Sequence, residues 1–128
     1  MVRIVIETEA TGPVPAELDE MRCPKTVAAI VQALPISGTA RLWGDEVYFE
    51  IPVEVGPEAP VEVVRAGDLG YWPPGRAFCI FFGPTPVSTS PEEIRPASPV
   101  NPVGRLLSDP AGFKKVSAGA PISIRKAE

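Results

Sequence analysis

Apolar side chains recur at every second residue of this chain, in runs short enough to be cut repeatedly by proline. Alternation with a period of two is the pattern of a strand with one buried face, and a helix cannot bury it. The 17 prolines among 128 residues are spread along the chain, so they punctuate short strands. "VRIVIET" sets Val2, Ile4 and Ile6 against Arg3 and Glu7 as a first strand. "TARLWGDEVYFEIPV" gives two runs about Gly44-Asp45, a two-residue loop suited to a primed hairpin turn. Val47, Phe49, Ile51 and Val53 face one way; Glu46, Tyr48 and Glu50 face the other. The carboxylates of Glu46, Glu50 and Glu54 read as the solvated side of that strand.

"VEVVRAGDLGYW" supplies two short strands broken at Gly67-Asp68, and "PISIRKA" a closing one. "AFCIFF" is apolar on both faces, as a central strand covered on both sides requires. Two stretches depart from this period. In "CPKTVAAIVQALP", residues 23 to 35, Val27, Ile30, Val31 and Leu34 fall on one helical face between Pro24 and Pro35. "NPVGRLLSD", residues 101 to 109, is a second helical candidate with Asn101 as N-cap. Many short strands with one or two covering helices predict a mainly β fold, a closed barrel of about eight strands. The length predicts a single domain over residues 1–128.

Composition excludes several function classes. The net charge is −4 without clustered Lys or Arg, which argues against nucleic acid as partner. No apolar run reaches the roughly 20 residues of a membrane helix, and "MVRIVIETEA" lacks the parts of a secretion signal, so a cytoplasmic location without membrane attachment is expected. There is no histidine and there are only two cysteines, Cys23 and Cys79, so neither a metal site nor a cofactor is expected. Cys79 reads as a small buried hydrophobe. Cys23 stands at a helix N-terminus, where a thiolate is stabilised, with no base near it in sequence.

The helix "CPKTVAAIVQAL" resembles the first helix of cyclophilins, which covers one mouth of their eight-stranded barrel. Tyr48-Phe49-Glu50-Ile51-Pro52 falls where cyclophilins carry a Phe-His-Arg-Ile-Ile-Pro strand, and Gly67-Asp68-Leu69 is similar to their Gly-Asp-Phe. "WGDEVYFEIPV", "GDLGYWPPGRAFCIFFGPTP" and "EIRPASPVNPVGRL" resemble small cyclophilin-like proteins of bacteria and archaea without an assigned activity, over most of the chain. The resemblance implies a cyclophilin-like barrel and prolyl isomerisation as the activity to test. Cyclophilin isomerases act through an arginine, helped by Phe, Gln, Trp and His. On the matching strand this chain has Glu50 and it has no His at all, so no catalytic residue carries over.

Candidate ligand-binding residues cluster around "YWPPGRAFCIFFGPTP". Pro74-Gly75 fits a type II turn that folds Tyr71-Trp72 back against Ala77 to Phe82. Arg76 is the only charge between Leu69 and Phe82, in phase with Phe78, Ile80 and Phe82. It is either a rim guanidinium for a carboxylate, phosphate or peptide carbonyl, or a solvated turn charge. Trp43, Tyr48, Tyr71, Trp72 and Phe78 are either packing or an aromatic rim. Arg95, in a loop with four prolines between residues 91 and 102, either reaches a ligand or pairs with a carboxylate such as Glu92. The reading carried forward is a module that binds a small anionic molecule or an extended peptide without cyclophilin-type catalysis. The alternatives are a prolyl isomerase using Arg76 or Arg95 and an interaction subunit of a larger enzyme.

Overall fold

The computed structural model describes residues 1–127. Nine strands form one antiparallel sheet: β1 (Val2–Thr8), β2 (Gly12–Leu18), β3 (Ile36–Thr39), β4 (Arg41–Leu42), β5 (Glu46–Glu50), β6 (Asp68–Trp72), β7 (Ala77–Phe81), β8 (Asn101–Leu106) and β9 (Pro121–Lys126). Their order across the sheet is β3-β9-β1-β2-β8-β6-β7-β5-β4. The first and last members are one stretch of chain separated only by Ala40. Its β3 half pairs with β9, and its β4 half pairs with β5. That stretch joins the two sheet edges and makes the barrel nearly closed, which leaves few strand edges free to pair with other chains. Taken as one strand, it brings the count to the expected eight.

The alternating faces do what the period predicts. Ile4, Ile6, Val14, Leu18, Val47, Phe49, Phe78, Ile80, Ile122 and Ile124 form one interior cluster. The Phe49 and Phe78 rings meet at 5.7 Å and 45°, an aromatic geometry worth about 1 kcal/mol beyond its buried area. Helix α1 (Pro24–Ala33) adds Val27 and Ile30 to the same cluster. Tyr71 belongs to this interior. It is fully buried, its hydroxyl donates to the Val53 carbonyl at 2.6 Å, and it accepts the Val55 N–H at 3.3 Å. Phe78 is equally buried.

Strand β7 is buried at all five positions. A second apolar cluster explains its other face: Ala77, Cys79 and Phe81 point out of the barrel against Val64, Ile94 and Val100. The cover is a strap of chain between β7 and β8. It is tied by bridges from Val61 to Val100 and from Val64 to Ile94, so the run "VEVV" makes isolated bridges in place of a ladder strand. Thr85 and Ser88 knit the strap together: the Ser88 hydroxyl accepts the N–H groups of Thr85 and Arg95, each at 3.0 Å, and the Thr85 hydroxyl donates to the Arg95 carbonyl.

Several local readings need correction. Residues 101–106 are strand β8, not a helix. The pairing with β6 shifts register between Leu69 and Gly70, setting Pro102 opposite Gly70, and such an irregularity accommodates a proline. Asn101 therefore caps nothing. It is fully buried, accepts the Glu58 N–H at 2.9 Å, and donates to the Thr26 hydroxyl and the Gly56 carbonyl at 3.1 Å each. Pro73–Gly75 is a single 3-10 turn, not type II, and the left-handed residue is Arg76 (φ 47°). Gly75 is needed for space, since a Cβ there would stand 2.7 Å from the Trp72 ring. Strand β2, with Pro13 and Pro15, and the 3-10 turn Pro110–Lys115 had no periodic signal. Among the described residues no helix is long and apolar enough to cross a membrane.

Candidate functional site

The outer face of β5, β7 and β6 sets the site. In register across it lie Tyr48, Cys79 and Gly70, with Glu46 beside Phe81 and Trp72 beside Ala77. The strap crosses above. Gly70 lets it approach, because a Cβ there would stand 3.0 Å from a Val100 methyl. Where the strap leaves the sheet, a cleft of about 140 Å³ opens, floored by Trp43, Glu46, Tyr48 and Trp72 and roofed by Pro96, Ala97 and Val100.

Each floor residue is fixed by a local device. Trp43 and Glu46 exchange backbone hydrogen bonds across the hairpin turn, N–H of Trp43 to Glu46 carbonyl at 3.0 Å and the reverse at 3.2 Å. Gly44 (φ 58°) takes the first central position of that turn, as a type II′ turn requires. Trp72 lies over Gly75, and its indole N–H donates to the Ser98 hydroxyl of the strap at 2.6 Å.

Glu46 is the unusual member. Its residue is 6% exposed, and it forms no ion pair among the described residues. Burial pushes its carboxyl up to about 7, against a smaller lowering by hydrogen bonding to the Cys79 thiol. A carboxylate taken out of water without a cation is costly, and such carboxyls concentrate at sites of function. Burial raises the Cys79 thiol well above its ordinary value, and the Glu46 charge adds to the rise. The expectation that Glu46 lies on a solvated face is thus overturned, while Glu50 and Glu54 are exposed.

The sequence-predicted residues divide. Trp43, Tyr48 and Trp72 meet in the cleft. Tyr71 and Phe78 are in the barrel interior on the other side of the sheet. Arg76 is exposed and outside the cleft, its Nη2 3.1 Å from Glu50 Oε2. Arg95 lines a neighbouring depression with Pro96 and Ala97 and lies 3.7 Å from Glu93, not Glu92. Cys23 is fully buried, and burial raises its thiol above the ordinary value, in line with an unreactive side chain at that helix terminus. Glu46 and the roof were missed. Alternation gave no signal for Glu46, since it sets the residue on the solvent face of β5, and the pairing of β5 with the doubly covered β7 is not local in sequence.

A family model described as "Cyclophilin-like" matches residues 1–125. Among solved structures, the hypothetical protein AF2241 from Archaeoglobus fulgidus superposes with a TM-score of 0.83 at 44% identity, covering 98% of this chain and 95% of that one. McbB in complex with tryptophan superposes with a TM-score of 0.71 at 17% identity, covering 95% of this chain and 44% of that one, a likeness of fold. A comparison with curated proteins finds no match.

Proposed function

The chain belongs to the cyclophilin-like family, and from that premise we propose that it is a binding module whose site is the outer-face cleft, without prolyl isomerase chemistry. One observation carries the reading: both tryptophans of the chain, one tyrosine and a buried carboxyl without a cation converge on a single cleft. Apolar walls with one or two placed polar groups are the usual make-up of a small-ligand site. At about 140 Å³ the cleft lies below the roughly 300–1,000 Å³ that takes a drug-sized molecule. It suits a small molecule or one side chain of an extended peptide.

The isomerase reading has less to stand on. Glu50 occupies the strand position matched to the cyclophilin arginine, and the nearby Arg76 is neutralised by it at 3.1 Å. Isomerisation needs a preorganised donor aimed at the substrate carbonyl or prolyl nitrogen, and Arg76 is an exposed turn residue directed at Glu50 and outside the cleft. A protease-coupled isomerisation assay on an Ala-Pro peptide should show no acceleration over the uncatalysed rate. A rate above it that disappears in Arg76→Ala would overturn the non-catalytic reading.

A further inference from the structure

Resting on that reading of the cleft, we propose that its ligand is an organic ammonium ion, held by the Glu46 carboxylate among Trp43, Tyr48 and Trp72, with its hydrocarbon part under Pro96 and Val100.

The lining fixes the sign of the ligand. Glu46 is its one charged side chain. Of the three guanidinium groups near the cleft, Arg76 pairs with Glu50 and Arg95 with Glu93, and Arg41, opposite Tyr48 in register, is exposed and outside the lining. An anion would also find few donors. Pro96 has no N–H, and the Trp72 indole N–H is held by Ser98. The Trp43 indole, the Tyr48 hydroxyl and the Ala97 N–H are left, beside a carboxylate that repels an anion. A cation finds the reverse: aromatic rings attract it electrostatically, more strongly when desolvated, and a carboxylate completes a charge-assisted hydrogen bond. The size of the cleft favours a single ammonium head on a short chain.

The same arrangement makes binding respond to pH. From β7, Phe81 stands opposite Glu46 in register and the Cys79 thiol is its titratable neighbour; from its own strand the neighbour is Tyr48; from β6 and the strap, Trp72, Pro96, Ala97 and Val100 carry no charge. Arg41 on β4 stands opposite Tyr48 in register but is exposed and outside the lining. With its carboxyl near 7, Glu46 is protonated below neutrality and ionised above it. An ammonium ion, charged throughout this range, pairs only with the ionised form, so its affinity rises as pH passes from 6 to 8.

The test uses the two tryptophans, since both line the cleft. The intact protein is titrated with n-butylammonium chloride, n-butanol and sodium butyrate at constant ionic strength, reading tryptophan fluorescence. The ammonium ion should bind at least about tenfold more tightly than the alcohol, and the carboxylate most weakly. Affinity for the ammonium ion should climb between pH 6 and 8. Glu46→Gln should lose about tenfold and the pH trend with it, while circular dichroism verifies that the variant is folded. An Nα-acetyl-lysine amide in the same titration tells a peptide lysine from a free amine as the source, and tighter binding of either supports the assignment. Butanol or butyrate binding as well as the ammonium ion, or an unchanged Glu46→Gln, overturns the charge assignment and leaves the cleft as a site. No response to any of the probes overturns both.

Discussion

Replacing Glu46 by glutamine should change the stability of this protein in a way that depends on pH and reverses the usual sense of a lost carboxylate. In the folded chain the carboxyl titrates near 7, against an ordinary value of 4.5. At about 1.4 kcal/mol per pH unit, that difference corresponds to about 3 kcal/mol. The folded state holds its proton where the unfolded chain has released it, so the Glu46 contribution is most favourable below about pH 4.5. It is lost as pH rises to 7 and is constant above. Glutamine cannot ionise, so Glu46→Gln escapes the loss. The variant should match the wild type or fall about 1 kcal/mol below it at pH 4, where its amide lacks partners. At pH 8 it should exceed the wild type by about 2 kcal/mol. Urea unfolding of both proteins at pH 4, 6 and 8 measures the difference, and other titrating groups cancel in the subtraction. Glu58 has the opposite trend: burial opposes its charge, but the N–H groups of Lys25 and Thr26, the Thr26 hydroxyl and the Lys25 charge hold its carboxyl below the ordinary value. A stability difference that stays constant from pH 4 to 8 would refute the account of Glu46.

Asn101→Ala removes three hydrogen bonds from a fully buried side chain. At about 1 kcal/mol each it should cost about 3 kcal/mol and lower the melting temperature by roughly 10 °C, whereas a helix cap at this position would cost about 1 kcal/mol. Gly104→Ala drives a Cβ into the Glu17 carbonyl oxygen, where β2 and β8 pair. Backbone must shift to admit it, so a loss of about 3 kcal/mol or insoluble protein is expected, and a soluble variant with wild-type melting would contradict this packing.

What could be read in the sequence was whatever is decided over a few residues. The alternation in β1, β5 and β9 placed Ile4, Val47, Phe49 and Ile124 in the core. The spacing of Val27 and Ile30 placed α1, and Gly44-Asp45 placed a hairpin. Strand β8 escaped because Asn-Pro is a sound helix start locally, and the register shift that tolerates Pro102 is a property of the pairing with β6. The site followed the same rule. Trp43, Tyr48 and Trp72 were visible as rim aromatics, but in one group with Tyr71 and Phe78, which the barrel interior takes. Glu46 was not, since alternation assigned it to water, and only the strap arriving from residues 84–100 removes it from water. Arg76 misled for a related reason. Its phase with Phe78 and Ile80 suggested a rim position, but the left-handed turn carries it to Glu50.

The most direct measurement is a proton–nitrogen correlation spectrum of the protein labelled with nitrogen-15, recorded against a mixed set of small amines, acids, alcohols and an Ala-Pro peptide. The chain has two indole N–H groups, on Trp43 and Trp72, so two indole signals report on the cleft. If the cleft is the site, an active compound moves both indole signals with one shared dissociation constant, while amides of Ile6 and Ile124, on paired strands β1 and β9, remain still. Ligand-induced shifts gathered around Arg76 and Glu50, with both indoles unmoved, would contradict it.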